Sequence, residues 1–132
     1  MKISLQLRTR LMRLSEIPNL EQQAIKCLIE AGGVPEELRA QIESVRTVLR
    51  SESSVGVYVD FDLDGEVPLP VGEQDFEIAG LSATGSGGDE VEFILFVRGG
   101  RLSCLEVYTV LPKLPPYASL MLSPGSDMGI QC

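Results

Sequence analysis

The sequence predicts a two-layer α+β fold, in which an N-terminal antiparallel helix pair packs on a four-stranded antiparallel sheet. Two observations carry that prediction. The hydrophobic period changes from 3.6 residues before residue 50 to 2 after it, so helices come first and strands follow. The pair Gly99-Gly100 separates two apolar runs, which is the signal of a tight hairpin. With 132 residues, 44% of them hydrophobic, the chain is long enough for one core and too short for two. The expectation is a single domain over residues 1–116, opened by a basic segment at 1–15 and followed by a tail at 117–132.

The basic segment holds Lys2, Arg8, Arg10 and Arg13 and no acid, with Ile3, Leu7, Leu11 and Leu14 spaced for one helical face. Transit peptides share this pattern; the expectation here is a helix or strand packed on the domain. The first helix is capped by Asn19 with Gln22 and closed by Gly32-Gly33, and its apolar stripe is Leu20, Ala24, Cys27, Leu28 and Ala31. A second helix opens at Pro35, with Glu36 and Glu37 favouring its N-terminus. Its predicted apolar face is Leu38, Ile42, Val45, Val48 and Leu49, with Arg46 and Arg50 near its C-terminus and serines from residue 51 ending it.

From Val55 the alternation is that of a strand, with Val57, Val59 and Phe61 opposite Tyr58, Asp60 and Asp62. Residues 63–75 read as a loop, a second strand runs near 76–83, and the hairpin spans 91–110. A regular register puts Arg98 against Arg101, Val97 against Leu102, Leu95 against Cys104 and Phe93 against Glu106. After Leu111 the prolines at 112, 115 and 116 stop the sheet.

Residues 95–108, together with Leu38-Arg39-Ala40-Gln41 and the Leu-Pro-x-Leu-Pro run at 111–115, resemble a family of small, functionally uncharacterised bacterial proteins. The most specific piece is the G-R-L-S-x-L-E-V-Y stretch from Gly100 to Tyr108. The likeness covers roughly residues 20–116 and implies a fold but no activity.

Composition narrows the chemistry. The chain has no histidine and no tryptophan, which removes Ser-His-Asp and Cys-His catalysis and His-ligated zinc. Its formal charge of −8 repels phosphate backbones, so nucleic acid is not an expected partner. That charge is concentrated: residues 51–97 carry eleven acids and no base. Three cysteines, Cys27, Cys104 and Cys132, form no C-x-x-C pair and suit neither a disulfide framework nor a zinc site. That suggests a reducing, cytoplasmic setting. No apolar run reaches the roughly 18 residues of a membrane helix, so no membrane role is expected, and no cofactor is implied.

Several residues stand out as candidate sites. Asp60-Phe61-Asp62-Leu63-Asp64-Gly65-Glu66 opens like a calcium loop but has Val71 where the bidentate Glu belongs. It therefore predicts at most weak cation binding through Asp60, Asp62, Asp64 and Glu66. Glu106 shares the predicted hairpin face with Phe93, Leu95, Val97 and Leu102, so it is expected to be buried and paired, with Arg39 or Arg46 as partner, or to orient a ligand. Arg98 and Arg101 form a like-charge pair that needs an anion or the acidic band to relieve it. The opposite face carries Ile94, Phe96, Leu105 and Val107, which require cover from elsewhere in the chain, a protein partner or a second copy. The expectation is a non-enzymatic interaction or regulatory module. The alternative is a small-molecule or divalent-cation-binding domain using Glu106 or the acidic loop.

Overall fold

A computed structural model describes residues 7–63 and 65–124. Its centre is one seven-stranded antiparallel sheet. The strands are β1 (Arg8–Arg13), β2 (Val45–Glu52), β3 (Gly56–Leu63), β4 (Phe76–Thr84), β5 (Glu90–Arg98), β6 (Arg101–Tyr108) and β7 (Met121–Pro124), in spatial order 1-2-3-6-5-4-7. Among the described residues there are two α-helices, α1 (Asn19–Ile29) and α2 (Glu37–Glu43). The four-stranded sheet expected from the sequence is thus corrected to seven strands, and the molecule is mostly β.

Each of the three additional strands has an identifiable cause. Helix α2 ends at Glu43, and the residues expected to prolong it form β2 instead. Leu38, Ile42, Val45 and Leu49 fit a helical period, but Val48, Arg50 and Glu52 also alternate with Thr47, Leu49 and Ser51. The β-branched Val45, Thr47 and Val48 lose rotamer freedom in a helix, and pairing with β3 along the whole strand decides the matter. In β1 the 4-3 leucine spacing imitates a helix too. That segment is short and uncapped, so it gains more from a full ladder with β2, Arg8 opposite Glu52 through Arg13 opposite Thr47. The third addition lies in the region expected as a tail. Strand β6 ends at Tyr108, ahead of the prolines, and the fold continues past them. The Leu114 N–H donates to the Ser54 carbonyl at 2.7 Å, Leu120 is buried, and β7 pairs with β4.

The core lies between the helices and one face of the sheet. Ala24, Ile25 and Leu28 of α1 and Leu38 of α2 meet Val48, Val57, Val59, Leu81, Phe93, Leu95, Leu105 and Val107, all buried. Strands β1–β2–β3 form one antiparallel meander and β4–β5–β6 another, and the two join along β3 and β6. At that seam a Cβ on Gly56 would lie 2.7 Å from the Val107 carbonyl oxygen, so the strands close there only around glycine.

The hairpin turns through Gly99 and Gly100, both with positive φ (59° and 75°), as a type I′ turn requires. Arg98 does face Arg101, and Val97 faces Leu102. Beyond them Ser103 is an extra residue on β6, so Phe96 faces Cys104, Leu95 faces Leu105 and Phe93 faces Val107. That bulge shifts the register by one residue and exchanges the faces of everything after it.

Candidate functional site

The helices cover one face of the sheet, and the bulge decides what the other face displays. Leu105 and Val107, expected on the uncovered face, are fully buried in the core. Cys104 and Glu106, expected in the core, stand half-buried on the open face beside Ile94 and Phe96. Glu106 therefore does not meet Arg39 or Arg46 under the helices.

Side chains run across this face in rows. Tyr58 on β3 lies opposite Glu106 on β6, which lies opposite Ile94 on β5. The next row is Asp60, Cys104, Phe96 and Glu77, and on the other side Tyr108 stands opposite Glu92. A hydrogen bond to Glu106 raises the Tyr58 hydroxyl above the usual tyrosine range. Burial and the nearby Glu92 and Glu106 raise Tyr108. The Glu92 carboxyl is also raised, by burial first and by Glu90 second. Burial, reinforced by Asp60, pushes the Cys104 thiol up to about 12, so it remains a neutral SH. The face thus combines carboxylates with aromatic and aliphatic surface, a mixture that suits a basic, partly apolar surface and offers no activated nucleophile.

The other predicted residues are held separately. Arg98 pairs with Glu77 at 3.5 Å and lies over the Phe96 ring at 5.2 Å. Arg101 donates to the carbonyls of Leu63 and Gly65 at 3.2 and 3.3 Å. Their mutual repulsion is relieved within the molecule, by the acidic band for Arg98 and by backbone oxygens for Arg101. Asp60 and Asp62 are exposed on alternate positions of β3, Glu66 is exposed in the loop, and Asp64 lies outside the described residues. Among the described residues no group of three His, Cys, Asp or Glu side chains could hold a metal ion. Cys104 is a free thiol, Cys27 is disulfide-bonded, and Cys132 lies outside the described residues. Cys27 thus departs from the expectation that these cysteines suit no disulfide. Among the described residues no helix is long and apolar enough to cross a membrane.

Two buried polar groups escaped the sequence reading. Glu21 on α1 is fully buried and accepts from Arg50 Nε and Nη2 at 2.9 and 2.6 Å and from the Tyr117 hydroxyl at 2.7 Å. Arg50 and Tyr117 of this trio line a groove of about 530 Å³ that also includes Glu52, Ser53 and Lys113. Gln41 on α2, also fully buried, donates to the carbonyls of Pro68 and Gly100, both at 2.7 Å, and accepts the Leu102 N–H at 2.8 Å. A signal existed for both. Glu21 is three, four and seven residues before Ala24, Ile25 and Leu28, and Gln41 is three after Leu38, so each interrupts an apolar helical stripe. A second groove of about 310 Å³ lies between the helices, floored by Leu14, Ile25, Ile29 and Ile42 and rimmed by Lys26, Glu30, Arg39 and Glu43.

No family model, curated protein or solved structure matches the chain.

Proposed function

We propose that this chain is a non-enzymatic interaction module whose open sheet face binds a basic protein partner. The observation that carries this reading is the pairing of apolar and acidic side chains along that face: Tyr58 with Glu106 and Ile94, Asp60 with Cys104 and Phe96, and Tyr108 with Glu92. Aromatic side chains supply contact area at low entropic cost. The carboxylates steer a cationic surface and fix its register. The excess of acid in residues 51–97 lies on the strands and loops of this sheet and extends the attraction beyond direct contact. Masking of a basic protein, as toxin-neutralising immunity proteins do, is one form this function takes.

The test is capture from host lysate on immobilised protein, read by mass spectrometry, followed by calorimetry with the purified partner. A partner of net positive charge is expected, with affinity that falls as salt rises. Glu106→Lys and Phe96→Asp should each weaken binding at least tenfold, while Lys26→Ala in the helical groove leaves it unchanged. Indifference to both face variants would overturn the reading. So would a dimer mass in light scattering that Phe96→Asp converts to monomer, since the face would then belong to a second copy.

A further inference from the structure

Strand β1 ends the sheet on one side, pairing with β2 and, among the described residues, with nothing beyond. The Arg13 N–H is turned away from β2 and is taken by the Glu16 carboxylate at 2.8 Å. Antiparallel ladders alternate in direction, so the N–H and C=O groups of Leu11 and Thr9 point outward as well. Leu11 is 71% exposed and sits beside Leu49, 41% exposed, on the open side of the sheet. The opposite edge, β7, is four residues long and ends in proline, a form that discourages pairing. By contrast β1 offers six residues in unbroken register.

Charge selects the occupant. Arg8, Arg10 and Arg13 stand on this strand, and among the described residues none of them takes part in an ion pair. No acid occurs in residues 1–15 of a chain whose net charge is −8. Two copies meeting edge to edge would set arginines against arginines, which is unfavourable. We propose that β1 is the docking edge for an extended acidic segment of another protein, which joins the sheet as an eighth strand. Its backbone would bond to Thr9 and Leu11, its carboxylates would lie beside Arg8 and Arg10, and an apolar side chain would extend the Leu11 and Leu49 patch. This surface is distinct from the face assigned to the basic partner.

The probe is a fluorescent eight-residue peptide of alternating Glu and Val, followed by anisotropy. Saturable binding is expected, at least tenfold tighter than for the Lys and Val counterpart. Arg8→Glu with Arg10→Glu should weaken it at least tenfold. N-methylation of the peptide's alternate amides should abolish it, and this control leaves the protein untouched. Hydrogen exchange at Thr9 and Leu11 should slow when the peptide binds. Phe96→Asp should change nothing, which separates this proposal from the one above. Equal binding of the N-methylated peptide would overturn it, because attraction would then be charge alone, and so would equal binding of the Lys and Val peptide. A single-stranded oligonucleotide competing as well as the peptide would also overturn it.

Discussion

An amide side chain in a core destabilises the fold unless its donors and acceptor are all met, and Gln41 meets all of them, binding Pro68, Gly100 and Leu102. It ties the turn of the central hairpin to α2, and the N–H it accepts belongs to Leu102, next to the extra residue Ser103. Cys104, one residue further, shows the opposite use of burial. With its thiol pushed up to about 12, only about one molecule in 10⁴ is thiolate at pH 8, against about one in four for an ordinary cysteine. Higher basicity makes that thiolate the better nucleophile and recovers part of the deficit. Alkylation by iodoacetamide at pH 8, followed at the Cys104 peptide by mass spectrometry, is expected to be about fifty-fold slower than for a free model thiol. It should accelerate in Asp60→Asn, where a neighbouring charge is removed. A rate equal to the model thiol would contradict the buried, acid-flanked setting.

At the scale of elements, the decisive feature is one inserted residue in one strand. The turn, both strands and the Arg98 and Arg101 pairing of the hairpin were legible, because glycine placement and period 2 specify them locally. The bulge was not legible, because Ser103 carries no glycine signal and its effect is to exchange faces without altering composition. Truncation separates the two registers. Leu105→Ala should cost about 3 kcal/mol, within the range for fully buried leucines, whereas Ile94→Ala on the open face should cost less than about 1 kcal/mol. Urea melts of the two variants give both values, and a small cost at both sites would restore the regular register, which places Ile94 and Leu105 on one uncovered face. The same blindness to partners explains β1 and β2. Leucines and valines three and four apart satisfy a helix and a strand alike, and the choice lay in ladders with other strands, β3 for β2 and β2 for β1.

For the molecule as a whole, the Glu21, Arg50 and Tyr117 cluster links α1, β2 and the segment after the prolines, three parts that sequence reading kept separate. Burial and the Glu21 carboxylate raise the Tyr117 hydroxyl well above its ordinary value near 10. The neutral phenol is therefore the form the fold favours, so its contribution is complete below about pH 10 and is lost as pH rises above that value. Tyr117→Phe should be less stable by about 1 kcal/mol at pH 7 through loss of one hydrogen bond. The difference should shrink between pH 10 and 11, where the native protein alone must keep that phenol protonated. Urea melts at pH 7, 10 and 11 test this, and a constant difference would show that Tyr117 titrates as freely in the fold as out of it. The charge pattern and single core were readable beforehand, since both depend on composition. The strand order was not, since it depends on which distant segments meet. That order, two meanders joined within the sheet only where β3 lies against β6 around Gly56, makes the protein divisible. A chain break in the loop between β3 and β4 cuts no strand and leaves one fragment with both helices and the other with the central hairpin. Reassembly of the two pieces would then report, as a split reporter does, on the closure of β3 against β6 together with the bonds of Gln41 to Gly100 and Leu102 and of Glu21 to Tyr117 across the same break.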